Sequence, residues 1–207
     1  MENQPMLMTA EESQLVLVDY QEKLMPYIHE TDKALANAVL LGKVARILQV
    51  PTWGTEENPA KLGPNHPSVR ELCDKTLSKM YFNACDDGLA DALRPPARQP
   101  AGNARSLPKH LQKAIAASST PERNSIVIAG CEAHVCLMQT ALGLLENDFD
   151  VWVVTDACSS RSERNRDAGF DRLATAGAEL VTTEMVAFEW LRTAEHPAFR
   201  EVLSLVK

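Results

Sequence analysis

Ser125-Ile-Val-Ile-Ala-Gly-Cys-Glu-Ala-His-Val-Cys136 reads as a buried strand that passes through a glycine turn into a helix opened by a cysteine. The unbroken apolar run Ile126–Ala129 is the pattern of a parallel strand covered on both faces. A helix N-terminus carries unpaired N–H groups and about half a positive charge, so a cysteine placed there is expected to ionise below the usual thiol pKa of about 8.5. The thiolate is the form that attacks carbon. Taken alone, the position of Cys136 favours a small hydrophobe packed in a core, and it is the rest of the chain that reverses this reading.

Outward from that stretch, short apolar runs alternate with helical periodicity. Leu15-Val-Leu-Val18 is a continuous apolar run that stops at Asp19. Strands are expected at Val50–Thr55, Thr76–Met80, Val151–Val154 and Glu179–Thr182, with helices at Thr31 to 49, His134–Glu146 and Ser160–Ala176. Thr31 is the expected cap of the first helix, and Ser160-x-x-Glu163 the expected capping box of the last. This alternation implies an α/β fold, a three-layer α/β/α sandwich around a parallel sheet. Arg94 to Pro108 is too rich in proline and polar residues for an element interior. It is expected to be a solvated connection to a helix at about 109–119, with a lid or an oligomer contact as the alternatives.

Composition narrows the function classes. At 207 residues and 45% hydrophobic, the chain is long enough for a full core and is expected to form one domain over 1–207. A formal net charge of −7 without a clustered basic run argues against nucleic acid as a partner. No apolar run has the length needed to cross a bilayer, and Met1–Glu12 lacks the features of a secretory signal. Five cysteines (73, 85, 131, 136 and 158) without a CxxC pair suit reduced thiols, so a cytoplasmic location is expected.

In an open parallel sheet, ligands sit beyond the carboxyl ends of the strands. Asp19 ends the first strand, Lys79 falls at the end of the third and Cys136 follows the fourth, so an acid, an amine and a thiol belong to one rim. By itself each has a plain reading: Asp19 as a turn residue, Lys79 as a solvated surface lysine, Cys136 as packing. Their joint placement favours chemistry.

The residues on that rim carry a resemblance that runs through most of the chain. Leu-Val-Leu-Val-Asp19-Tyr-Gln, Thr55-Glu-Glu-Asn-Pro-Ala-Lys-Leu-Gly-Pro64, Lys79-Met-Tyr-Phe-Asn-Ala84, Gly130-Cys-Glu-Ala-His-Val-Cys136, Gln139-Thr-Ala-Leu, Asp156-Ala-Cys-Ser-Ser-Arg161, Ala176-Gly-Ala and Thr183-Glu-Met-Val-Ala-Phe-Glu-Trp190 resemble the isochorismatase-like cysteine hydrolases. The resemblance implies a six-stranded sheet of order 3-2-1-4-5-6 and a triad of Asp19, Lys79 and Cys136. In it Asp19 is the general base that later protonates a leaving amine, while Lys79 holds Asp19 ionised and favours the thiolate. It further implies a cis bond at Cys131–Glu132, with the backbone N–H groups of Glu132 and Cys136 forming an oxyanion hole. The reaction implied is attack on an amide-like carbonyl and hydrolysis of a thioester.

Nicotinamidases of this family hold a metal with an Asp and two His near the second strand. Here that region, Trp53 to His66, has a single histidine, so neither metal nor other cofactor is expected and nicotinamide is disfavoured. His66 and His134 are read as a loop residue and a helix-start residue. Glu57 stands where the more usual pattern, Thr-Glu-Gln-x-Pro, has an amide. Tyr20, Trp53, Tyr81 and Phe82 are candidate walls of a substrate pocket. Asp156 and Arg161 are read as structural, a buried pair or a cap. Two alternatives stand beside the amidase: an isochorismatase-type vinyl-ether hydrolase that uses Asp19 as an acid without the thiol, and a non-catalytic binding or scaffold protein. A homo-oligomer, dimer or larger, acting on a small molecule is expected.

Overall fold

Six strands pair in parallel, and the apolar segments that form them explain which lie in the centre. The computed structural model describes residues 7–94 and 123–207. The strands are β1 (Ser13–Val18), β2 (Thr52–Glu57), β3 (Lys75–Lys79), β4 (Ser125–Gly130), β5 (Asp150–Val154) and β6 (Glu179–Val181). Their order is β3-β2-β1-β4-β5-β6, so the chain reverses its winding between β1 and β4. Every residue of the two central strands is buried, as expected of unbroken apolar runs, whereas edge strand β3 is largely exposed until its last residue.

The helices are α1 (Thr31–Ile47), α2 (Pro59–Leu62), α3 (Pro67–Arg70), α4 (Leu89–Leu93), α5 (Cys136–Glu146), α6 (Glu163–Thr175), α7 (Thr183–Leu191) and α8 (Phe199–Val206). Helix α1 packs with α7 and α8, and α5 packs with α6 and β4, giving the three-layer α/β/α architecture. The expected strands and long helices form within a few residues of their expected limits. The segment from residue 95 to 108 and the helix expected at 109–119 lie outside the described residues.

Two expected caps are displaced, one of them by tertiary contacts. The α6 cap is Ser162, whose side chain accepts from the Asn165 N–H, while Ser160 is fully buried and bonds His134 through its hydroxyl. The Ser160 carbonyl accepts from His29 N–H, so this residue ties two loops together and is not free to open the helix. At α1 the cap position belongs to Glu30 in a left-handed conformation, and Thr31 is already helical.

Register at the carboxyl edge sets up the site. Val18 lies opposite both Thr55 of β2 and Gly130 of β4, and Lys79 lies opposite Glu57. Strand β2 therefore runs past the end of β1, carrying Glu57 and its neighbour Lys79 beyond Asp19. Gly130 is required at this junction because a Cβ there would stand 2.3 Å from the Val18 carbonyl oxygen.

Candidate active site

Asp19 leaves β1 in a left-handed conformation (φ 53°), one of the few non-glycine residues to do so. That turn directs its carboxylate into the sheet edge, where Oδ1 accepts from the Thr55 hydroxyl at 2.7 Å. Oδ2 lies 2.8 Å from Lys79 Nζ, with both side chains fully buried. Lys79 thus reaches from an edge strand across the end of β2 to the first strand. The same ammonium lies 2.9 Å from Glu57 Oε2 and donates to the Tyr81 carbonyl at 3.3 Å. Gln21 locks the β2 end: its amide donates to the Glu57 carbonyl and its Oε1 accepts from the Glu57 N–H, both at 2.9 Å.

Cys136 is the first residue of α5 and is 6% exposed. The Asp19 and Glu57 carboxylates and the Cys136 sulfur present atoms that all lie within 4.8 Å of one another. The structure therefore brings Asp19, Lys79 and Cys136 together and adds Glu57 to them. The peptide bond Cys131–Glu132 is cis. Among the described residues no backbone carbonyl accepts from the N–H of Glu132 or of Cys136, so both donors remain available.

The electrostatics correct one expectation. Burial pushes the Cys136 thiol above its ordinary pKa, the Asp19 carboxylate adds to this, and the Lys79 ammonium offsets only part of it. The helix N-terminus does not win against desolvation and two carboxylates. In the resting site the sulfur keeps its proton, next to a carboxylate that can take it. For Lys79, burial pulls its pKa down, but the Asp19 carboxylate and hydrogen bonds to Asp19 and Glu57 raise it, so it stays an ammonium.

The same three ligand types, Asp19, Glu57 and Cys136, are close enough to hold a metal ion. The Lys79 ammonium already occupies the space between the two carboxylates, the position a cation would take. His66 serves as a cap: its ring nitrogen accepts from the Ser68 N–H at the start of α3. His134 contacts the Ser160 hydroxyl at 3.0 Å.

Of the four pocket candidates, two are placed elsewhere. Tyr20 is fully buried and its hydroxyl donates to the Ala157 carbonyl at 2.5 Å, because the left-handed turn at Asp19 sends the next side chain into the core. Trp53 sits four residues before the end of β2, with the Lys75 ammonium 4.9 Å from its ring centre. Tyr81 and Phe82 follow β3 on the rim, more than half exposed. Their segment is fixed by Asp87, which accepts from Met80 and Tyr81 N–H groups, and by Thr140 of α5, which donates to the Phe82 carbonyl.

Asp156 and Arg161 are not partners of each other. Asp156 accepts from the N–H and hydroxyl of Thr183 at the start of α7. Arg161 instead pairs with Glu132, its Nε 2.9 Å from Oε2, and its backbone N–H donates to the same oxygen. The Glu132–Arg161 pair and the bracing by Thr55 and Gln21 were missed in the sequence, since each depends on which loops meet. Glu57 had a signal, its carboxylate in an amide's usual place.

Comparison with known proteins agrees with this architecture. Residues 13–185 match the isochorismatase domain family. Isochorismatase domain-containing protein 2 of Rattus norvegicus is 34% identical over 197 residues, covering 95% of this chain and 82% of the relative. The Homo sapiens protein of that name is 33% identical over 195 residues, covering 94% and 83%. Among solved structures, one described as MAR1 ribonuclease from Caenorhabditis elegans superposes with a TM-score of 0.76 at 28% identity, covering 97% of this chain and 92% of that one. YcaC from Escherichia coli, described as an octameric hydrolase of unknown specificity, gives 0.73 at 25% identity, covering 98% and 97%. On the extent of these matches and on its strand order, the chain belongs to the isochorismatase family.

Proposed function

We propose that this protein is a cysteine hydrolase that cleaves a C–N bond of a small amide or ureide through a thioester on Cys136. The observation that carries the reading is the buried Asp19–Lys79 ion pair beside the Cys136 thiol. As the sulfur attacks the carbonyl carbon, Asp19 takes the thiol proton, which removes the barrier set by the raised thiol pKa. The carbonyl oxygen becomes an oxyanion for the Glu132 and Cys136 N–H groups, each such donor being worth about 3 kcal/mol in typical hydrolases. Collapse breaks the C–N bond, and the proton on Asp19 passes to the leaving nitrogen. Water then gives its proton to Asp19 and its oxygen to the thioester, releasing an acid and returning the proton to sulfur. Lys79 stays protonated throughout and keeps Asp19 in place.

A small-molecule substrate is supported by the net charge of −7, which is poorly suited to a phosphate backbone although one structural relative is described as a ribonuclease. The Tyr81 and Phe82 side chains on the rim are proposed as contacts for the substrate. A homo-oligomer is supported by the octameric state of the E. coli relative.

The competing reaction is vinyl-ether cleavage with Asp19 as proton donor. Replacement Cys136→Ala separates the two, since it abolishes amide hydrolysis and leaves vinyl-ether cleavage near its wild-type rate. Loss of both reactions in Asp19→Asn is expected, and undiminished turnover by that variant contradicts an acid–base role. A scaffold without activity cleaves neither a small amide nor a vinyl ether.

A further inference from the structure

Glu57 places a second carboxylate on the one ammonium of this cluster. Its Oε2 lies 2.9 Å from Lys79 Nζ while Asp19 Oδ2 lies 2.8 Å from the same nitrogen. With both acids ionised, the lysine protonated and the thiol neutral, the four side chains sum to −1. The Glu57 side chain is 11% exposed, against none for Asp19, so it is the less buried of the two acids. The Arg161 guanidinium, beside the cis bond, is held on Glu132. A substrate carboxylate brought to the sulfur meets two acids whose neutralising charge is already shared. Water is scarce at these buried positions, so that repulsion is weakly screened.

We infer that Glu57 makes this site selective against anionic acyl donors, so that the substrate is a neutral or cationic small amide. The inference rests on Cys136 being the nucleophile, as proposed above. Glu57 acts here as a specificity-determining residue: its Nζ contact is part of the site, and its backbone is held independently by Gln21. Replacement Glu57→Gln therefore removes one negative charge at nearly constant shape.

The test uses two thiol reagents of similar size and opposite charge, 2-(trimethylammonium)ethyl and 2-sulfonatoethyl methanethiosulfonate. Each forms a mixed disulfide as the cysteine thiol gives up its proton to solvent, its sulfur attacks the reagent's divalent sulfur and methanesulfinate leaves with the electron pair of the broken S–S bond. Rates at Cys136, read by peptide mass spectrometry, are divided by those for 2-mercaptoethanol. In the wild-type protein the cationic reagent is expected to be favoured at least tenfold over that reference, and in Glu57→Gln the preference shrinks about tenfold. A wild-type ratio at or below the reference overturns the inference whether or not the variant folds. A strong preference that survives in folded Glu57→Gln overturns the assignment to Glu57. Failure of both reagents to label Cys136 removes the nucleophile and this inference with it, whereas equal labelling removes the inference alone.

Discussion

Lys79 Nζ stands 2.8 Å from Asp19 Oδ2 with neither side chain exposed to solvent, although the two residues end strands that are not neighbours in the sheet. Burying an ion pair costs desolvation that its attraction only partly repays. A lysine stem stretched across the end of β2 is costly as a stability device, and in the proposed reaction it holds a carboxylate beside the thiol.

Loss of the lysine leaves Asp19 and Glu57 buried beside each other without a counter-charge. Lys79→Met is therefore expected to lower unfolding free energy at pH 7 by about 3–5 kcal/mol in urea titration. An unchanged urea midpoint at pH 7 contradicts the buried pair.

The Cys136 thiol is held above its ordinary pKa by burial and then by Asp19. Alkylation by iodoacetamide should therefore climb with pH through 9 and beyond without a plateau near neutrality. Asp19→Asn removes the carboxylate that helps hold the proton on sulfur, so the profile shifts to lower pH even as hydrolysis is lost. A wild-type plateau near pH 7 would mean that the helix terminus prevails after all.

Buried thiols and the buried amine make the fold sensitive to alkali. Burial pushes Cys131 up to about 12 from 9.0, and Lys79 is raised from 10.5. Groups with a raised folded pKa keep their protons while the unfolded chain loses them, so stability is full below pH 9 and falls as pH rises through 9 and then 10.5. Denaturation midpoints at pH 8 and pH 10.5 should differ clearly, with the higher pH less stable. Equal midpoints contradict this.

Strand order is what the family resemblance implies, whereas the meeting of Asp19, Lys79 and Cys136 at one rim is legible because each lies at or just beyond the carboxyl end of a strand, and a parallel sheet has one such edge. What is not legible depends on which loops touch. Ser160 matches a capping box, yet its burial against His134 and His29 moves the cap to Ser162. Tyr20 adjoins Asp19 in the chain, yet the left-handed turn between them sends its ring to Ala157 in the core. The thiol's protonation state needed the burial and the position of Glu57, neither of which local helix position contains.

The most direct measurement is intact-protein mass spectrometry on any small neutral or cationic amide that the protein turns over. A transient adduct on Cys136 with the mass of the acyl group, lost on treatment with hydroxylamine and absent in Cys136→Ala, is expected. Turnover of that amide by Cys136→Ala at the wild-type rate, with no adduct on the wild-type protein, contradicts a thioester on this sulfur.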